Sequence, residues 1–125
     1  MKIIIHIFSS VIKCLINKSK FNIIIKIFNL LDFITTDKRY NKLFIKKVFD
    51  NIDEVLCISI NNKQCLLRAT IAKLLLSINR IKVSLKIGVI PEPFRAHAWL
   101  EINNKPLYEI YEDTSKYMII YNDNL

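Results

Sequence analysis

Apolar residues between positions 3 and 34 recur every three or four residues, the spacing at which side chains share one face of a helix. They fall into two runs, residues 3–16 and residues 21–34. The first run contains Ile4, Ile7, Phe8, Val11 and Leu15, and the second contains Ile24, Ile27, Phe28, Leu31 and Ile34. The pattern therefore predicts two helices, or one bent helix, at the start of the chain.

The polar stretch TTDKRY at residues 35–40 interrupts this pattern. Thr36 or Asp37 has the side-chain oxygen that an N-cap requires, so we expect a third helix over residues 40–49. The sequence CISINNKQ at residues 57–64 predicts a short extended piece that runs into a polar turn.

A further helical pattern covers residues 65–78, with one apolar face formed by Leu67, Ile71, Leu74, Leu75 and Ile78. Asn61 or Asn62 would cap this helix, which places Cys65 in its first turn. Asn79 is positioned to end the helix in a left-handed conformation, which glycine adopts more readily.

The period then changes to two, which is typical of strands with one buried face. The first strand alternates the apolar residues Val83, Leu85, Ile87 and Val89 with Ser84, Lys86 and Gly88. After IPEP, a second strand over 95–102 places His97, Trp99 and Glu101 on one face. NNKP is turn chemistry, and a third strand over 107–112 follows. Helices followed by an antiparallel meander predict an α+β fold.

Length and composition are those of one folded domain: 125 residues, 52% hydrophobic and 24% charged. Residues 1–50 carry ten Lys/Arg against three Asp, a balance of +7, whereas residues 51–125 carry nine basic against eight acidic residues, a balance of +1. We therefore expect a basic helical N-terminal segment at 1–50 and a nearly neutral core at 51–125. This asymmetry argues against a nucleic-acid groove across the domain, and it suits a helix that docks on an acidic partner or on lipid headgroups.

Lysines interrupt the apolar runs of residues 1–34, so the sequence predicts no membrane span but allows contact of this segment with a membrane surface. No signal-peptide cleavage site follows the opening residues, so we expect a cytoplasmic protein with reduced thiols, and peripheral contact with the inner face of the membrane stays open. Cys14 and Cys57 are expected to be packing residues. The chain has neither a CxxC or HxxxH pair nor a phosphate-binding glycine loop, and we expect no metal, no cofactor and no ATP.

Cys65 is the strongest candidate for chemistry, because a helix N-terminus stabilises a thiolate. His97 is the best available base, and a third group should orient its ring. If the hairpin loop is centred on Asn103, facing residues have numbers that sum to 206, and Glu109 faces His97. A two-residue turn would change the sum to 207 and move Glu109 to the opposite face. Glu101, on the strand of His97, is the alternative acid, followed by Glu112 or Asp113.

Each of these residues also has a structural interpretation. A lone cysteine in a helix is usually a small buried hydrophobe, and a single histidine in a strand is more often structural than catalytic. Trp99 is most simply a core residue that walls the site.

The segments CLLRATIAKLLL, IKVSLKIGVI and FRAHAWLEINNKPLYE closely resemble the leader peptidases of lasso peptide biosynthesis. These B-type maturation proteins are transglutaminase-like cysteine proteases. Their pattern is Cys-Leu-x-Arg-Ala, Ile-Gly-Val, Ala-His-Ala-Trp-x-Glu, and an acid about twelve positions after the histidine. The resemblance is strong over residues 65–112, and it implies a papain/transglutaminase-like core in which one Cys-bearing helix packs on an antiparallel sheet.

The resemblance implies that Cys65 is the nucleophile, His97 the general base and Glu109 the orienting acid, where the family usually has aspartate. Asn103-Asn104 and Asn79-Arg80 depart from the family, which commonly has glycine in this turn and at this helix end. Gln64 is a weaker candidate for an oxyanion donor beside the Cys65 N–H.

The implied reaction is hydrolysis of one peptide bond, which separates the leader from the core of a ribosomally made precursor. The implied partners are this precursor, a separate leader-recognition protein and an ATP-dependent cyclase of the same pathway. Two alternatives stay open: a non-catalytic transglutaminase-like module that binds a peptide or scaffolds a maturation complex, and an enzyme that transfers the acyl group to an amine.

Overall fold

The structure, a computed structural model, describes residues 1–18, 20–34, 41–109 and 113–122. In these residues the helices are α1 (Lys2–Asn17), α2 (Phe21–Ile34), α3 (Lys42–Val55) and α4 (Cys65–Ile78). The strands are β1 (Ser84–Ile90), β2 (Arg95–Ile102), β3 (Lys105–Pro106) and β4 (Met118–Asn122), with a short 3-10 helix at Thr114–Lys116. The predicted α+β fold, with helices ahead of an antiparallel sheet, is confirmed.

The first two predicted helices are confirmed as separate elements, and both contribute to the same hydrophobic core as α3 and α4. The side chains that they bury are Ile5 and Ile12 from α1, and Ile24 and Phe28 from α2. Each helix also keeps an exposed apolar stripe, formed by Ile3, Ile7 and Val11 on α1 and by Ile23, Ile27 and Leu30 on α2. The apolar surface of these two helices is thus only partly used in packing.

The third helix begins and ends later than the predicted range of 40–49. Its N-cap is Asn41, whose side-chain oxygen accepts a hydrogen bond from the Leu43 N–H at 2.9 Å. Thr36 and Asp37, the predicted caps, lie outside the described residues. Because α3 continues to Val55, the expected boundary between residues 50 and 51 falls inside a helix.

The central helix α4 has the predicted bounds and is enclosed by the other helices and by the sheet. Ile71, Ala72 and Leu76 have no exposed surface. The buried surface is wider than the predicted stripe, yet Ile78, assigned to that stripe, is exposed. A helix between two layers is buried on more than one face, which a single amphipathic stripe does not predict.

The predicted N-cap of α4 is wrong, and Asn79 ends the helix as predicted but not in the predicted left-handed conformation. Residue 64 is the N-cap, with Gln64 in the left-handed region at φ 41° and ψ 46°, while the Asn62 side chain donates to the Cys57 carbonyl oxygen at 3.2 Å. At the other end, Asn79 has φ −87°, and Arg80 takes the left-handed conformation at φ 63°. Tertiary packing overrides the propensities on which the prediction relied.

The sheet has the strand order β3-β2-β1-β4, and its neighbouring strands are antiparallel. The first two predicted strands are present, with β2 at the predicted bounds, but the expected single buried face is wrong: β1 buries Gly88 rather than Ile87 or Val89, and β2 is buried on both faces. The predicted third strand is wrong: the ladder ends at Pro106, residues 107–109 are outside any strand, and 110–112 lie outside the described residues. The last strand, β4, was not predicted and forms the other edge of the sheet beside β1.

The register of the hairpin differs from the prediction by one residue. Glu101 pairs with Pro106 and Ile102 with Lys105, so facing residues have numbers that sum to 207. The turn consists of Asn103 and Asn104, at φ 52° and 62°, and positive φ at both central residues is the signature of a type I′ hairpin turn. A regular continuation of this ladder would direct Glu109 away from His97.

Candidate active site

The thiol of Cys65 lies half-buried at the start of α4, where sequence analysis expected it. Burial raises the pKa of this thiol, but hydrogen bonds with the His97 side chain and the backbone of Ala98 outweigh burial, and the charge of His97 adds to them. The net result is a pKa below the ordinary 9.0 of a cysteine. The Cys65 thiol at the start of α4 is therefore hydrogen-bonded to the His97 imidazole on β2.

The His97 ring is buried between this thiol and a carboxylate. Its Nε2 lies 2.8 Å from Oε2 of Glu109, which leaves Nδ1 as the ring nitrogen for Cys65. Burial lowers the pKa of His97, but the hydrogen bonds with Cys65 and Glu109, together with their charges, raise it to about 9. A lowered thiol pKa beside a raised imidazole pKa favours a thiolate–imidazolium pair.

Glu109 reaches His97 even though the predicted register is wrong. With a sum of 207, position 109 would face Ala98 and its side chain would lie on the other face of the sheet. The chain instead leaves the ladder, and Tyr108 adopts φ 51°, in the left-handed region. This reversal turns Glu109 back to the face that carries His97, so a local break in the strand restores the predicted contact.

Arg68 lies beside this acid, and sequence analysis assigned it no role. Its Nε and Nη2 donate to the two carboxylate oxygens of Asp53 at 2.6 and 3.2 Å, and Nη2 also donates to the Tyr108 carbonyl oxygen at 2.9 Å. Its Nη1 is 3.8 Å from Oε1 of Glu109. One signal in the sequence was available: Arg68 is a charge within the apolar run CLLRATIA, one turn after Cys65.

Two aromatic rings pack against the imidazole, one from β2 and one from the residue before β4. Trp99 stacks on His97 with ring centroids 5.6 Å apart and an angle of 18° between the planes, and the centroid of Tyr117 is 5.5 Å from that of His97. Gly88 pairs with His97 across the β1–β2 ladder, and a Cβ at Gly88 would lie 2.6 Å from the Cβ of Tyr117. The sequence indicated Trp99 as a wall of the site but did not indicate Tyr117.

The alternative acids have other partners. Oε2 of Glu101 accepts from Nε1 of Trp99 at 2.8 Å, and its Oε1 lies 2.7 Å from Nζ of Lys86. Asp113 caps the 3-10 helix, and its hydrogen bond with the Ser115 hydroxyl contributes most to lowering the pKa of its carboxyl group. Glu112 lies outside the described residues. Of the candidates that the structure describes, Glu109 is the one bonded to His97.

The remaining candidate residues lie in different settings. Nε2 of Gln64 donates to the Leu56 carbonyl oxygen at 2.9 Å, so a role as an oxyanion donor would require this bond to open. Cys14 and Cys57 are exposed, so the expectation that they pack in the interior is wrong. Within the described residues, no group of three His, Cys, Asp or Glu side chains is arranged to hold a metal ion.

Comparison with protein families gives a match over residues 39–122 to the model of the transglutaminase-like superfamily. The match includes α3, α4 and every strand of the sheet. Comparisons with curated proteins and with solved structures give no significant match. In the described part of the chain, no helix has the length and apolar character needed to cross a bilayer.

Proposed function

This chain belongs to the transglutaminase-like superfamily, and we propose that it is a cysteine peptidase that hydrolyses the leader from a ribosomally made lasso peptide precursor. The observation that carries the proposal is the hydrogen-bonded series Cys65–His97–Glu109, in which the thiol pKa is lowered and the imidazole pKa is raised. The resemblance of residues 65–112 to lasso leader peptidases supports the substrate class.

In the proposed mechanism, the Cys65 thiolate attacks the scissile carbonyl carbon, and the backbone N–H of Cys65 stabilises the oxyanion. Nδ1 of the His97 imidazolium then protonates the amine as the C–N bond breaks, which leaves an acyl-enzyme on Cys65. Neutral His97 next takes a proton from water, the hydroxide attacks the thioester, and the second peptide leaves with a carboxylate. Glu109 holds the ring through Nε2 and stabilises its protonated form.

The proposed setting follows from the same resemblance. The enzyme would act in the cytoplasm on a precursor delivered by a separate leader-recognition protein, and an ATP-dependent cyclase would use the product. We propose no cofactor for the hydrolysis, because thiolate, imidazole and water supply every proton and bond change in this mechanism.

Mass spectrometry of a precursor incubated with the protein and its recognition protein tests the reaction. We expect two fragments whose masses sum to that of the precursor plus one water, and no cleavage with Cys65→Ala. The matched control is Cys14→Ala, which removes an exposed helical thiol and should leave cleavage unchanged. A product that carries an added amine would identify acyl transfer instead of hydrolysis and would contradict the proposal.

Thiol reactivity distinguishes the peptidase from a non-catalytic peptide-binding module. In a Cys14→Ser, Cys57→Ser background, the iodoacetamide rate should rise with pH through a midpoint below 9.0, since the pKa of Cys65 is lowered. His97→Ala removes the largest lowering interaction, so this midpoint should move upward and the rate at neutral pH should fall. A rate profile that His97→Ala leaves unchanged would favour the non-catalytic module.

We also propose that α1 and α2 contact an anionic membrane surface from the cytoplasmic side. Ile3 is 75% exposed and Leu30 is 72% exposed, and residues 1–34 carry five lysines against one aspartate. Deleting residues 1–34 would remove core side chains, so the test uses Ile7→Ser with Leu30→Ser and measures sedimentation with vesicles that contain phosphatidylserine. Binding should weaken, whereas Ile78→Ser, at an exposed site on α4, should leave it unchanged. Equal binding by all variants would refute this contact.

A further inference from the structure

We propose that Arg68 is a positioning residue that fixes the Tyr108–Glu109 segment, and thereby Glu109, against His97. Asp53 and Phe49 of α3 hold Arg68 in place for this role. The assignment deepens the proposed function because it concerns the same site. Its test, however, uses the imidazole itself and needs no peptide substrate.

Arg68 is held in place by contacts with α3. The side chain is buried, and its guanidinium group faces α3 on one side and the Tyr108–Glu109 segment on the other. Two nitrogens donate to the carboxylate of Asp53. The guanidinium carbon lies over the Phe49 ring, 4.7 Å from the centroid of that ring. A guanidinium group held by a bidentate carboxylate and an aromatic face has a fixed plane, so its other donors point in fixed directions.

The remaining donors of Arg68 point at the Tyr108–Glu109 segment. Nη2 donates to the Tyr108 carbonyl oxygen at 2.9 Å, and Nη1 approaches Oε1 of Glu109 at 3.8 Å. The other oxygen of Glu109, Oε2, is the one that meets His97. Arg68 therefore contacts both the backbone and the carboxylate of the segment that carries the acid.

The Tyr108–Glu109 segment lies outside the strands of the sheet. The strand β3 ends at Pro106, and the Leu107 N–H still donates to the Leu100 carbonyl oxygen at 2.9 Å. Tyr108 then adopts a left-handed φ of 51°, which is unfavourable for a non-glycine residue. Such a conformation persists when its surroundings fix it. The hydrogen bond from Arg68 supplies this restraint, together with the packing of the Tyr108 ring on Phe49 at a centroid distance of 5.3 Å.

The geometry also couples the two ends of the catalytic series. Cys65 and Arg68 are three residues apart on α4, so the thiol and the group that holds Glu109 project from one helical turn. The distance between the nucleophile and the acid is therefore set largely by one rigid element. The sequence alone does not indicate the contact between Arg68 and Glu109, because the two residues are 41 positions apart along the chain.

Two different roles of Arg68 predict opposite shifts in the titration midpoint of His97 when the Arg68 charge is removed. Among the described residues, the charged or titratable side chains packed against His97 are Cys65 from α4, Glu109 from the segment after β3 and Tyr117 before β4, with Arg68 behind Glu109. If Arg68 acted only as a charge, its loss would favour the imidazolium and raise the titration midpoint of His97. If Arg68 positions Glu109, its loss withdraws the carboxylate and lowers that midpoint.

The experiment follows the ring protons of His97 by NMR through a pH titration. His97 and His6 are the two histidines of the chain, and exposed His6 on α1 serves as an internal reference. We expect Arg68→Gln to lower the His97 midpoint from about 9 by roughly 1–3 pH units, the effect of losing an opposite charge at close range. Arg68→Lys should lower the His97 midpoint by less, since an ammonium group keeps the positive charge but lacks the planar set of N–H donors of a guanidinium group.

Asp53→Asn weakens the contact that holds Arg68 in place without changing Arg68 itself. This variant keeps the proposal testable if the Arg68 variants do not fold. The His97 midpoint should fall, by less than in Arg68→Gln. The matched control is Asp50→Asn, which removes an exposed ion pair with Lys46 one turn earlier on α3 and should leave the midpoint unchanged. Circular dichroism and thermal melting establish that each variant is folded.

A double-variant comparison separates positioning from a general structural effect. In a Glu109→Ala background, Arg68→Gln should shift the His97 midpoint little, because the group through which Arg68 acts has been removed. An equal shift in both backgrounds, a rise of the midpoint in Arg68→Gln alone, or an unchanged midpoint would each overturn the proposal. A protein that cleaves no precursor yet shows the expected shifts would refute the peptidase and leave the role of Arg68 standing.

Discussion

Gly88 is the only glycine in the chain. Its replacement by alanine has two opposing effects on the free energy of unfolding: a steric clash that lowers it and a backbone preference that raises it. The glycine lies in β1, where it pairs with His97 and is covered by the ring of Trp99 and the Cβ of Tyr117. A Cβ on Gly88 would lie 2.6 Å from the Cβ of Tyr117 and 3.1 and 3.2 Å from two ring atoms of Trp99. Carbon atoms in contact lie about 3.5–4.0 Å apart, so Tyr117 would have to retreat by about 1 Å.

The magnitude depends on what has to move. The closest atom is the Cβ of Tyr117, which no rotation of its own side chain withdraws, so the backbone that leads into β4 must shift. Overpacking of this kind typically costs about 1–3 kcal/mol, and backbone movement favours the upper part of that range. Gly88 has no positive φ, so alanine would by itself stabilise the strand by about 0.5–1 kcal/mol. The expected net loss is about 1–2 kcal/mol in the free energy of unfolding.

Urea denaturation measures this loss, and the fluorescence of Trp99, the only tryptophan, reports on the same region. With a slope of about 2 kcal/mol per molar urea, the midpoint should fall by about 0.5–1 M. Because the chain has no second glycine, the matched control is the reverse change at an exposed site in β2. Ala96→Gly should lower stability by about 0.5–1 kcal/mol through backbone entropy alone.

A midpoint for Gly88→Ala that is equal to or higher than that of the wild type would refute the steric argument, because backbone propensity alone predicts stabilisation. A second readout connects the clash to the site. Displaced Tyr117 and Trp99 no longer support the ring of His97, so alkylation of Cys65 at neutral pH should slow. Normal alkylation in a destabilised variant would show that the aromatic support contributes to folding but not to the alignment of the imidazole.

Three further predictions concern the acids and the hairpin. Glu109→Asp shortens the side chain by one methylene and should break the 2.8 Å hydrogen bond with His97. The NMR titration midpoint of His97 should then fall below about 9, whereas an unchanged midpoint would show that the backbone adapts. Glu101→Gln removes an ion pair but not a partner of His97, so it should lower the thermal unfolding midpoint while the His97 titration midpoint stays at about 9. A shifted titration would contradict the assignment of the acid. Asn104→Gly relieves a residue at φ 62° and gives the turn its preferred Asn-Gly pair, so urea denaturation should show about 0.5–1 kcal/mol of added stability, and a loss would argue against a type I′ turn.

Periodicity predicted the bounds of β2 and α4 well. The predicted range of β2, 95–102, is confirmed, although the five residues from His97 to Glu101 are all buried and their burial does not alternate. The range of α4 is confirmed as well, because its apolar residues recur at helical spacing from residue 65 to residue 78. In these segments the local sequence and the tertiary structure require the same backbone conformation.

The hairpin could not be predicted in the same way. Asn103 and Asn104 tolerate several turn geometries, and a difference of one residue in the loop reverses every side chain after it. The contact between Glu109 and His97 then depends on a break in the strand at Tyr108, which is held from α4 by Arg68. A contact that spans 40 positions leaves no periodic signal in the sequence.

The contacts of α3 extend the candidate site beyond the motif residues 65–112. Asp53 and Phe49 hold Arg68, so the position of Glu109 depends on a helix that precedes the cysteine, in keeping with a family match that begins at residue 39. The match does not include α1 and α2, although both helices cover part of α4 with buried side chains. Their buried faces are thus needed for the stability of the helix that carries the thiol, while their exposed stripes are free of that constraint. Substitutions on the two faces should therefore separate stability from surface contact.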